Sequence, residues 1–296
     1  MSSSSSLYTE IFGVVCVVLA LIKTAQCYKP VIIIHGILDS PDELVGLKKN
    51  IEEAHPGTNV TIVDLYNDAE SFTRMWTQVS DYSQKMGAMM NASKDGVHLI
   101  CYSQGGLICR GVLSVLPYHN VDTFIALSSP LMGQFGDTSY LRFFFPHFTK
   151  HHIYEFFYST YGQHFSIANY WNDPHHRNLF QKYSDYLALL NGESAKKNIR
   201  ATQWKRNFLK INHLVLIGGP DDGVISPWQS SQFGMFDKNE TVVEMRRQKV
   251  YAHDVFGLRT LDKRKAITTY TVPGVEHVLW HKNQTVFDNC IKKWLR

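Results

Sequence analysis

This sequence contains no block of basic residues and no apolar run long enough to cross a membrane. Its 296 residues carry a formal net charge of +4, and this mild excess argues against a nucleic-acid partner. The apolar run at residues 11–22 is shorter than the roughly 20 residues that a transmembrane helix needs, so we expect no stable transmembrane anchor. With 44% hydrophobic and 19% charged residues, the chain is globular rather than disordered.

Residues 1–27 are typical of a signal peptide. The apolar run is followed by Ala25 and Cys27, small residues at positions −3 and −1 of a cleavage site before Tyr28. The first ten residues contain no Lys or Arg, so a short membrane anchor or a buried helix is the alternative interpretation. Cleavage would deliver residues 28–296 to the secretory pathway as one large domain.

Export is also indicated by four N-x-S/T sequons. They begin at Asn59, Asn91, Asn239 and Asn283. In a chain with an export signal, some of these asparagines are expected to carry glycans.

Strand and helix patterns alternate along most of the chain. Apolar runs predict strands at residues 28–34, 60–65, 97–102, 121–127, 213–217 and 266–272, with helical patterns at 44–54, 70–91, 104–116 and 284–295. This rhythm predicts an α/β fold with a doubly wound, mostly parallel sheet.

The rhythm breaks at residues 131–205, where no buried strand is predicted. Close to half of the aromatic residues of the chain lie in this segment. We interpret it as an inserted, mostly helical cap. The aromatic side chains either pack the cap onto the sheet or line an apolar groove for a long acyl chain.

A serine stands between a predicted strand and a predicted helix. Residues 101–106 read CYSQGG, and a strand, a sharp turn carrying Ser103 and a helix form the layout of a nucleophile elbow. The usual pattern is G-x-S-x-G, whereas Cys101 takes the place of the first glycine. A buried strand that meets a helix through Gly105 is the alternative interpretation.

Two further polar residues follow predicted strands, giving the chain order Ser103, Asp222, His277. This is the order found in α/β-hydrolases, and the carboxyl ends of parallel strands meet at one edge of the sheet. His277 would take the Ser103 proton, and an acid would orient the imidazole. Asp221 competes for the acid role, but Asp222 is favoured because it stands a few residues before Pro227.

A tetrahedral oxyanion needs two backbone N–H donors. The residue after the nucleophile, Gln104, would supply one of them. Ile37, in the loop after the first strand, would supply the other.

Cys101 would end the elbow strand and Cys109 would lie in the second turn of the next helix. These two elements pack closely, so Cys101 and Cys109 form either a disulfide in an oxidising compartment or two buried free thiols.

Several of these motifs together resemble the lysosomal palmitoyl-protein thioesterases. They are YKPVIIIHG at 28–36, CYSQGG at 101–106, the histidine pair 175–176, IGGPDDG at 217–223 and HVLWH at 277–281. The resemblance covers residues 28–296. It implies a lysosomal α/β-hydrolase that cleaves long-chain fatty acyl thioesters, palmitoyl-CoA or S-palmitoyl groups, with Ser103, Asp222 and His277 at the matching triad positions.

The resemblance also bears on the cysteines and on the substrate. It implies that Cys101 in the elbow is shared with the subfamily, together with a Cys101–Cys109 disulfide. Cys290 matches a half-cystine whose usual partner, near residue 271 or 272, is absent, so Cys290 is either free or paired with Cys27. The resemblance further implies a preference for acyl-CoA over acylated protein.

Two other functions are compatible with the same residues. Ser-His chemistry attacks oxygen esters as well as thioesters, so a lipase or esterase is one alternative, and a catalytically inactive lipid-binding protein is the other. We predict no cofactor. We also predict no metal site, because the pairs 151–152 and 175–176 lack the cysteine or carboxylate company that zinc needs, and His281 is interpreted as a bystander to His277.

Overall fold

The computed structural model describes residues 28–296, and the predicted signal peptide at residues 1–27 lies outside the described residues. Eight strands occur among the described residues. They are β1 (Val31–Ile34), β2 (Val60–Ile62), β3 (Val97–Tyr102), β4 (Val121–Leu127), β5 (His213–Gly218), β6 (Met235–Phe236), β7 (Val242–Val243) and β8 (Ile267–Thr271).

Helices connect these strands. The α-helices are α1 (Val45–Ala54), α2 (Met75–Ala92), α3 (Gln104–Val115), α4 (Ser139–Phe144), α5 (Tyr154–Phe157), α6 (Ser166–Asn169), α7 (Arg177–Tyr183), α8 (Leu187–Leu190), α9 (Ala201–Phe208), α10 (Lys249–Ala252), α11 (Leu258–Lys263) and α12 (Gln284–Val286). Short 3-10 turns lie at Pro41–Leu44, Asp68–Phe72, Gly162–His164, Trp228–Gln232, Met245–Arg247, His277–Leu279 and Lys292–Trp294, and a π-helical stretch at Phe287–Ile291.

Six strands form one parallel sheet in the order β2-β1-β3-β4-β5-β8. Every neighbouring pair in this sheet is parallel, so each connection must cross over the sheet, and helices make most of these crossovers. β6 and β7 form a separate antiparallel pair. The predicted α/β class with a mostly parallel sheet is confirmed.

Both faces of the central strands are buried, as the continuous apolar runs predict, whereas the edge strand β8 is partly exposed. In β1, Ile32 and Ile34 belong to the core cluster that includes α2 and α3. Val31 and Ile33 belong to the cluster on the other face, with α1 and the C-terminal helical run. Alternate residues of a strand point to opposite faces, so a strand covered by helices on both sides must be apolar throughout.

Agreement between pattern and structure is closest at the centre of the sheet. The predicted strands 97–102 and 121–127 coincide with β3 and β4. The predicted final helix, 284–295, is helical but passes from α to π to 3-10 geometry. Elements β6, β7, α10 and α11 were not predicted, because such short segments have no hydrophobic period to detect.

The segment 131–205 contains helices α4 to α8 and the first half of α9. Gln134 and Trp171 form an isolated β-bridge within the segment, and Phe165 forms another with Thr73 earlier in the chain. Many of its aromatic rings are fully buried and join the core beneath, among them Phe157, Trp171 and Tyr186. Among residues 28–296, no helix is long and apolar enough to cross a membrane.

Candidate active site

Ser103 occupies the sharp turn between β3 and α3. Its φ of 52° and ψ of −126° lie in a region that non-glycine residues rarely adopt, which is typical of strained functional turns. The two glycines after it allow close approach: a Cβ on Gly105 would lie 2.5 Å from the His35 carbonyl oxygen, and one on Gly106 would lie 2.0 Å from Ser129 Oγ. Larger residues there would push α3 away from the sheet.

The three residues predicted as a triad meet at the carboxyl edge of the sheet. Ser103 Oγ lies 2.9 Å from His277 Nε2, and His277 Nδ1 lies 2.9 Å and 3.1 Å from the two carboxylate oxygens of Asp222. With the Nδ1 proton donated to Asp222, Nε2 is left as the acceptor for the Ser103 hydroxyl. All three side chains are buried, with 3–5% of each residue exposed.

Asp222 is surrounded by hydrogen-bond donors. Besides His277, its carboxylate accepts from the Ile225 N–H at 2.7 Å, the Trp280 indole at 2.7 Å and the Ser128 hydroxyl at 2.5 Å. Burial alone would raise the pKa of this carboxyl, but the contacts with His277, Ile225 and Ser128 lower it below its ordinary value of 3.8. Asp222 is therefore held ionised beside the imidazole.

The neighbouring carboxylate occupies a different position. Asp221 is exposed and accepts from the Gly274 N–H at 2.7 Å, so it caps a turn, and the carboxylate beside His277 belongs to Asp222. His281 is buried near the Tyr102 ring, with the two ring centroids 4.9 Å apart, and burial lowers its pKa to about 4.

Three residues that contact the triad were missed in the sequence. Ser128 and Trp280 both bond Asp222, and the Tyr102 hydroxyl donates to the His277 carbonyl at 2.8 Å. Ser128 follows β4 directly, so the rule that selected Ser103 and Asp222, a polar residue after a strand, could also have found it. Trp280 lies in the HVLWH motif, but nothing in that spacing assigns its indole to a carboxylate.

The two predicted oxyanion donors lie on either side of Ser103. Gly36 packs against the serine so closely that a Cβ there would be 2.9 Å from Ser103 Cβ, and Ile37 lines the same pocket as Ser103. Gln104 is the first residue of α3, so its N–H belongs to the group of helix N-terminal donors that have no acceptor within the helix. Their role in catalysis stays a prediction.

Of the two possibilities for Cys101 and Cys109, the structure contains the disulfide, with 6.5 Å between the Cα atoms. It ties β3, next to the elbow, to the second turn of α3. Cys290 is buried and carries no disulfide to a described cysteine. Its proposed alternative partner, Cys27, lies outside the described residues.

An apolar pocket adjoins Ser103. Its walls include Ile37, Tyr140, Phe144, Ile167, Tyr170 and Ile225. Tyr140 and Phe144 also border a second, shallower cavity, which Phe143 lines as well. Phe143 is 78% exposed. Segment 131–205 therefore supplies much of the apolar surface next to the serine.

Carboxylates do lie close to the histidine pair 175–176, which corrects the argument made from sequence. His175 Nε2 lies 2.9 Å from Glu240 Oε1, and His176 Nδ1 lies 2.8 Å from Asp173. Potential ligand atoms of His151, His175 and Glu240 all lie within 4.8 Å of one another. Glu240 is far away in sequence, which is why the pattern missed it, and its other oxygen pairs with Lys150, so the carboxylate is already engaged in ion pairs.

The fold and the site define the class: this is an α/β-hydrolase with a Ser-His-Asp arrangement at the carboxyl edge of its sheet. Consistent with this, the structure of a Bacillus licheniformis lipase, BlEst2 in mature form, superposes with a TM-score of 0.51 at 14% identity, covering 92% of this chain and 94% of that one. At such low identity the likeness concerns the fold alone.

Residues 30–277 match the model of the palmitoyl protein thioesterase family, and this chain belongs to that family. The lysosomal thioesterase PPT2 of Homo sapiens is 53% identical over 268 residues, covering 90% of this chain and 88% of that protein. The lysosomal thioesterase PPT2 homolog of Drosophila melanogaster is 41% identical, covering 93% and 94% of the two chains. The resemblance inferred from the motifs is confirmed, and the chain is a thioester hydrolase by family.

Proposed function

We propose that this enzyme hydrolyses long-chain fatty acyl thioesters through an acyl-enzyme on Ser103. The observation that carries the proposal is the continuous hydrogen-bonded chain from Ser103 through His277 to Asp222, with the serine in the wall of an apolar pocket. A serine hydroxyl is a weak nucleophile unless a base removes its proton, and this chain provides such a base with a partner that orients it.

The reaction proceeds in two halves. Ser103 Oγ attacks the thioester carbonyl while His277 takes its proton, and the N–H groups of Ile37 and Gln104 stabilise the oxyanion. The tetrahedral intermediate collapses, the C–S bond breaks, and His277 returns the proton to the departing sulfur. Water, activated by His277, then attacks the acyl-enzyme and releases the fatty acid. Asp222 holds the imidazole in the required tautomer and stabilises its charged form.

The acyl part of the substrate is assigned to the apolar pocket. Its walls are mostly aliphatic and aromatic and offer few polar partners. The cavity that they enclose is only about 20 Å³, so the walls must move apart to admit an alkyl chain. The relatives at 53% and 41% identity are named lysosomal thioesterases, which supports a sulfur leaving group. We extend the proposal to palmitoyl-CoA as the preferred acyl carrier over S-palmitoyl protein.

We place the enzyme in the lysosomal lumen, reached through the secretory pathway. The names of the relatives, the predicted signal peptide at residues 1–27 and the disulfide support this location. Asn59, Asn91 and Asn239 are exposed and are the proposed glycan sites. Asn283 is half-buried, and its side chain accepts from the Val286 N–H at 3.0 Å, so a glycan is less easily accommodated there.

The test compares wild type and Ser103→Ala on palmitoyl-CoA and on a palmitoyl oxygen ester of matched length. We expect thioester hydrolysis by wild type only, and labelling of Ser103 by an active-site-directed fluorophosphonate. Equal hydrolysis by both proteins would refute the role of Ser103. A strong preference of wild type for the oxygen ester would identify a lipase or esterase, and palmitate binding without turnover or labelling would identify a lipid-binding protein.

A further inference from the structure

We infer that Ser71 is a positioning residue that holds both oxyanion donors in place and ties them to segment 131–205. Ser71 lies in the 3-10 turn Asp68–Phe72 and is only 1% exposed. It is far in sequence from every residue of the triad and touches none of the reacting atoms. The inference rests on the proposed function, because it concerns the hole formed by Ile37 and Gln104.

The hydroxyl of Ser71 holds the loop after β1. The Leu38 N–H donates to Ser71 Oγ at 2.8 Å, and Ser71 Oγ in turn donates to the Asp68 carbonyl at 2.5 Å. Leu38 has a φ of 60°, in the left-handed region, which is unfavourable for a non-glycine residue and persists only where surrounding contacts impose it. Ser71 is the side chain that accepts from this strained residue.

A second side chain orients the preceding peptide unit. His35 Nδ1 lies 2.9 Å from the Gly36 carbonyl oxygen, and among the described residues the only cis peptide bond is Ser226–Pro227. In a trans peptide the C=O and N–H point in opposite directions, so a bond from His35 to the Gly36 carbonyl directs the Ile37 N–H away from that ring. The Ser71 bond then fixes the next unit along the loop.

The carbonyl oxygen of Ser71 gathers three more donors. Gln104 Nε2 and Gln78 Nε2 each lie 2.8 Å from it, and the Ser166 hydroxyl lies 2.9 Å from it. Gln104 is the second oxyanion residue and Ser166 begins α6 in segment 131–205. One buried residue therefore connects the loop that carries Ile37, the side chain of Gln104, α2 and the segment that lines the pocket beside Ser103.

These contacts predict an effect on the transition state and not on binding of the acyl chain. Ser71→Ala removes the acceptor of the partly buried Leu38 N–H, and the loop can then relax from its left-handed turn, which displaces the Ile37 N–H. Loss of an oxyanion donor costs roughly 100- to 1000-fold in kcat, so displacement of one by a relaxed loop should cost about 10- to 100-fold. Ser71 is not among the residues that line the pocket, so KM should stay within about twofold.

Ser184 provides a matched control. It is also 1% exposed, and its hydroxyl likewise accepts one backbone N–H, from Ala188 at 3.3 Å, and donates to one carbonyl, that of Asn169 at 3.2 Å. It does not contact the loop after β1. Ser184→Ala should lower the melting temperature, because it removes the hydrogen bonds of a buried serine, and it should leave kcat close to the wild-type value.

The decisive measurement compares two ligands in full-length Ser71→Ala, Ser184→Ala and wild-type enzyme. Ser103 Oγ adds to the carbonyl carbon of a long-chain alkyl trifluoromethyl ketone and places an alkoxide in the oxyanion hole, whereas palmitate binds without forming such an adduct. We expect Ser71→Ala to bind the ketone about 10- to 100-fold more weakly and palmitate unchanged, and Ser184→Ala to preserve the ratio of the two affinities.

An unchanged ketone-to-palmitate ratio in Ser71→Ala, or an equal change in Ser184→Ala, would overturn the inference. If Ser71→Ala does not fold, Ser71→Cys is measured in its place, because a thiol is a weaker acceptor of similar size. A ketone-to-palmitate affinity ratio several-fold below that of wild type supports the inference, and an unchanged ratio refutes it. Ser103→Ala separates the two proposals. If that variant remains active the proposed function itself fails, whereas an inactive Ser103→Ala with a normal ratio in Ser71→Ala refutes only the role of Ser71.

Discussion

Replacing Asp222 with asparagine tests the site most directly. In the folded protein every hydrogen-bond partner of this carboxylate is a donor: His277 Nδ1, the Trp280 indole, the Ser128 hydroxyl and the N–H groups of Val224 and Ile225. An asparagine amide must turn its NH₂ toward at least one of them. The arrangement that costs least is for the imidazole to switch tautomer, so that Nδ1 accepts and Nε2 carries the proton.

That switch disables His277 as a base. With a proton on Nε2, the ring nitrogen 2.9 Å from Ser103 Oγ can no longer take the hydroxyl proton. Loss of the correct tautomer in a Ser-His-Asp triad lowers kcat by about 10⁴-fold, which corresponds to about 5.5 kcal/mol of transition-state stabilisation. We therefore expect palmitoyl-CoA hydrolysis by Asp222→Asn to fall by three to four orders of magnitude, estimated roughly from that comparison, while KM changes little.

Asp221→Asn is the matched control, because it removes the same charge one residue away. Asp221 is exposed and bonds only a turn amide at Gly274, so kcat should stay within about threefold of wild type, the range usual for surface substitutions. The assay is release of CoA from palmitoyl-CoA by both variants at equal protein concentration. A loss of less than tenfold in Asp222→Asn, or an equal loss in Asp221→Asn, would show that the reasoning about the acid is wrong.

The same substitution has a pH signature in stability. Because the folded pKa of Asp222 lies below its ordinary value of 3.8, the ionised carboxylate contributes stability in full above about pH 4, and this contribution is lost as the pH falls through the folded pKa. The melting-temperature advantage of wild type over Asp222→Asn should therefore shrink below about pH 4. An advantage that stays constant into stronger acid would contradict the assignment of that charge.

Three further predictions concern stability and substrate range. Cys109→Ser removes the disulfide between Cys101 and Cys109, which are 8 positions apart in sequence. Because the unfolded chain then loses this constraint, the free energy of unfolding should fall by roughly 2 kcal/mol. Equal urea midpoints for variant and wild type would refute this. Burial lowers the pKa of His98 to about 4, as it does for His119 and His281. At each of the three positions the unfolded chain binds a proton below pH 6.5 that the folded chain does not, so each histidine should lower the stability of wild type by roughly 2 kcal/mol between pH 7 and pH 5. His98→Leu should reduce that slope by roughly one third, as followed by chemical denaturation across this pH range, and an unchanged slope would contradict the assignment. Ile167→Trp adds bulk to the wall of the pocket beside Ser103. It should raise KM for palmitoyl-CoA at least fivefold more than KM for butyryl-CoA. Equal changes in KM for the two substrates would exclude Ile167 from the acyl site.

Much of the fold was legible in local patterns. Residues 97–102 are a mostly apolar run followed by a serine and then by two glycines at 105 and 106. As expected, they form β3, and the turn after it carries Ser103. The hairpin of β6 and β7 was missed, since its strands are two residues each and depend on pairing with each other. Local propensity carries no signal for an element whose stability comes from contacts distant in sequence.

The meeting of Ser103, Asp222 and His277 at one edge of the sheet was also predictable, but their surroundings were not. Chain order and the position after a strand selected Ser103, Asp222 and His277, because a parallel sheet brings all its strand ends to one edge. The choice between two adjacent aspartates rested only on the distance to Pro227. The structure separates them by direction: one carboxylate points inward to His277 and the other to solvent.

By itself, then, the sequence determined the class of fold, the family and the identity of the three polar residues at the sheet edge, because those features are written in hydrophobic period, motif and order along the chain. Only the tertiary structure decided which donors surround Asp222, that Glu240 lies beside two histidines of segment 131–205, and that Ser71 connects the loop after β1 to Gln104 and Ser166. Apart from the backbone N–H groups of Val224 and Ile225, which lie next to Asp222 in the chain, these contacts join residues that are 30 or more positions apart. Such contacts form only when the whole sheet and segment 131–205 are packed, so no local pattern can encode them.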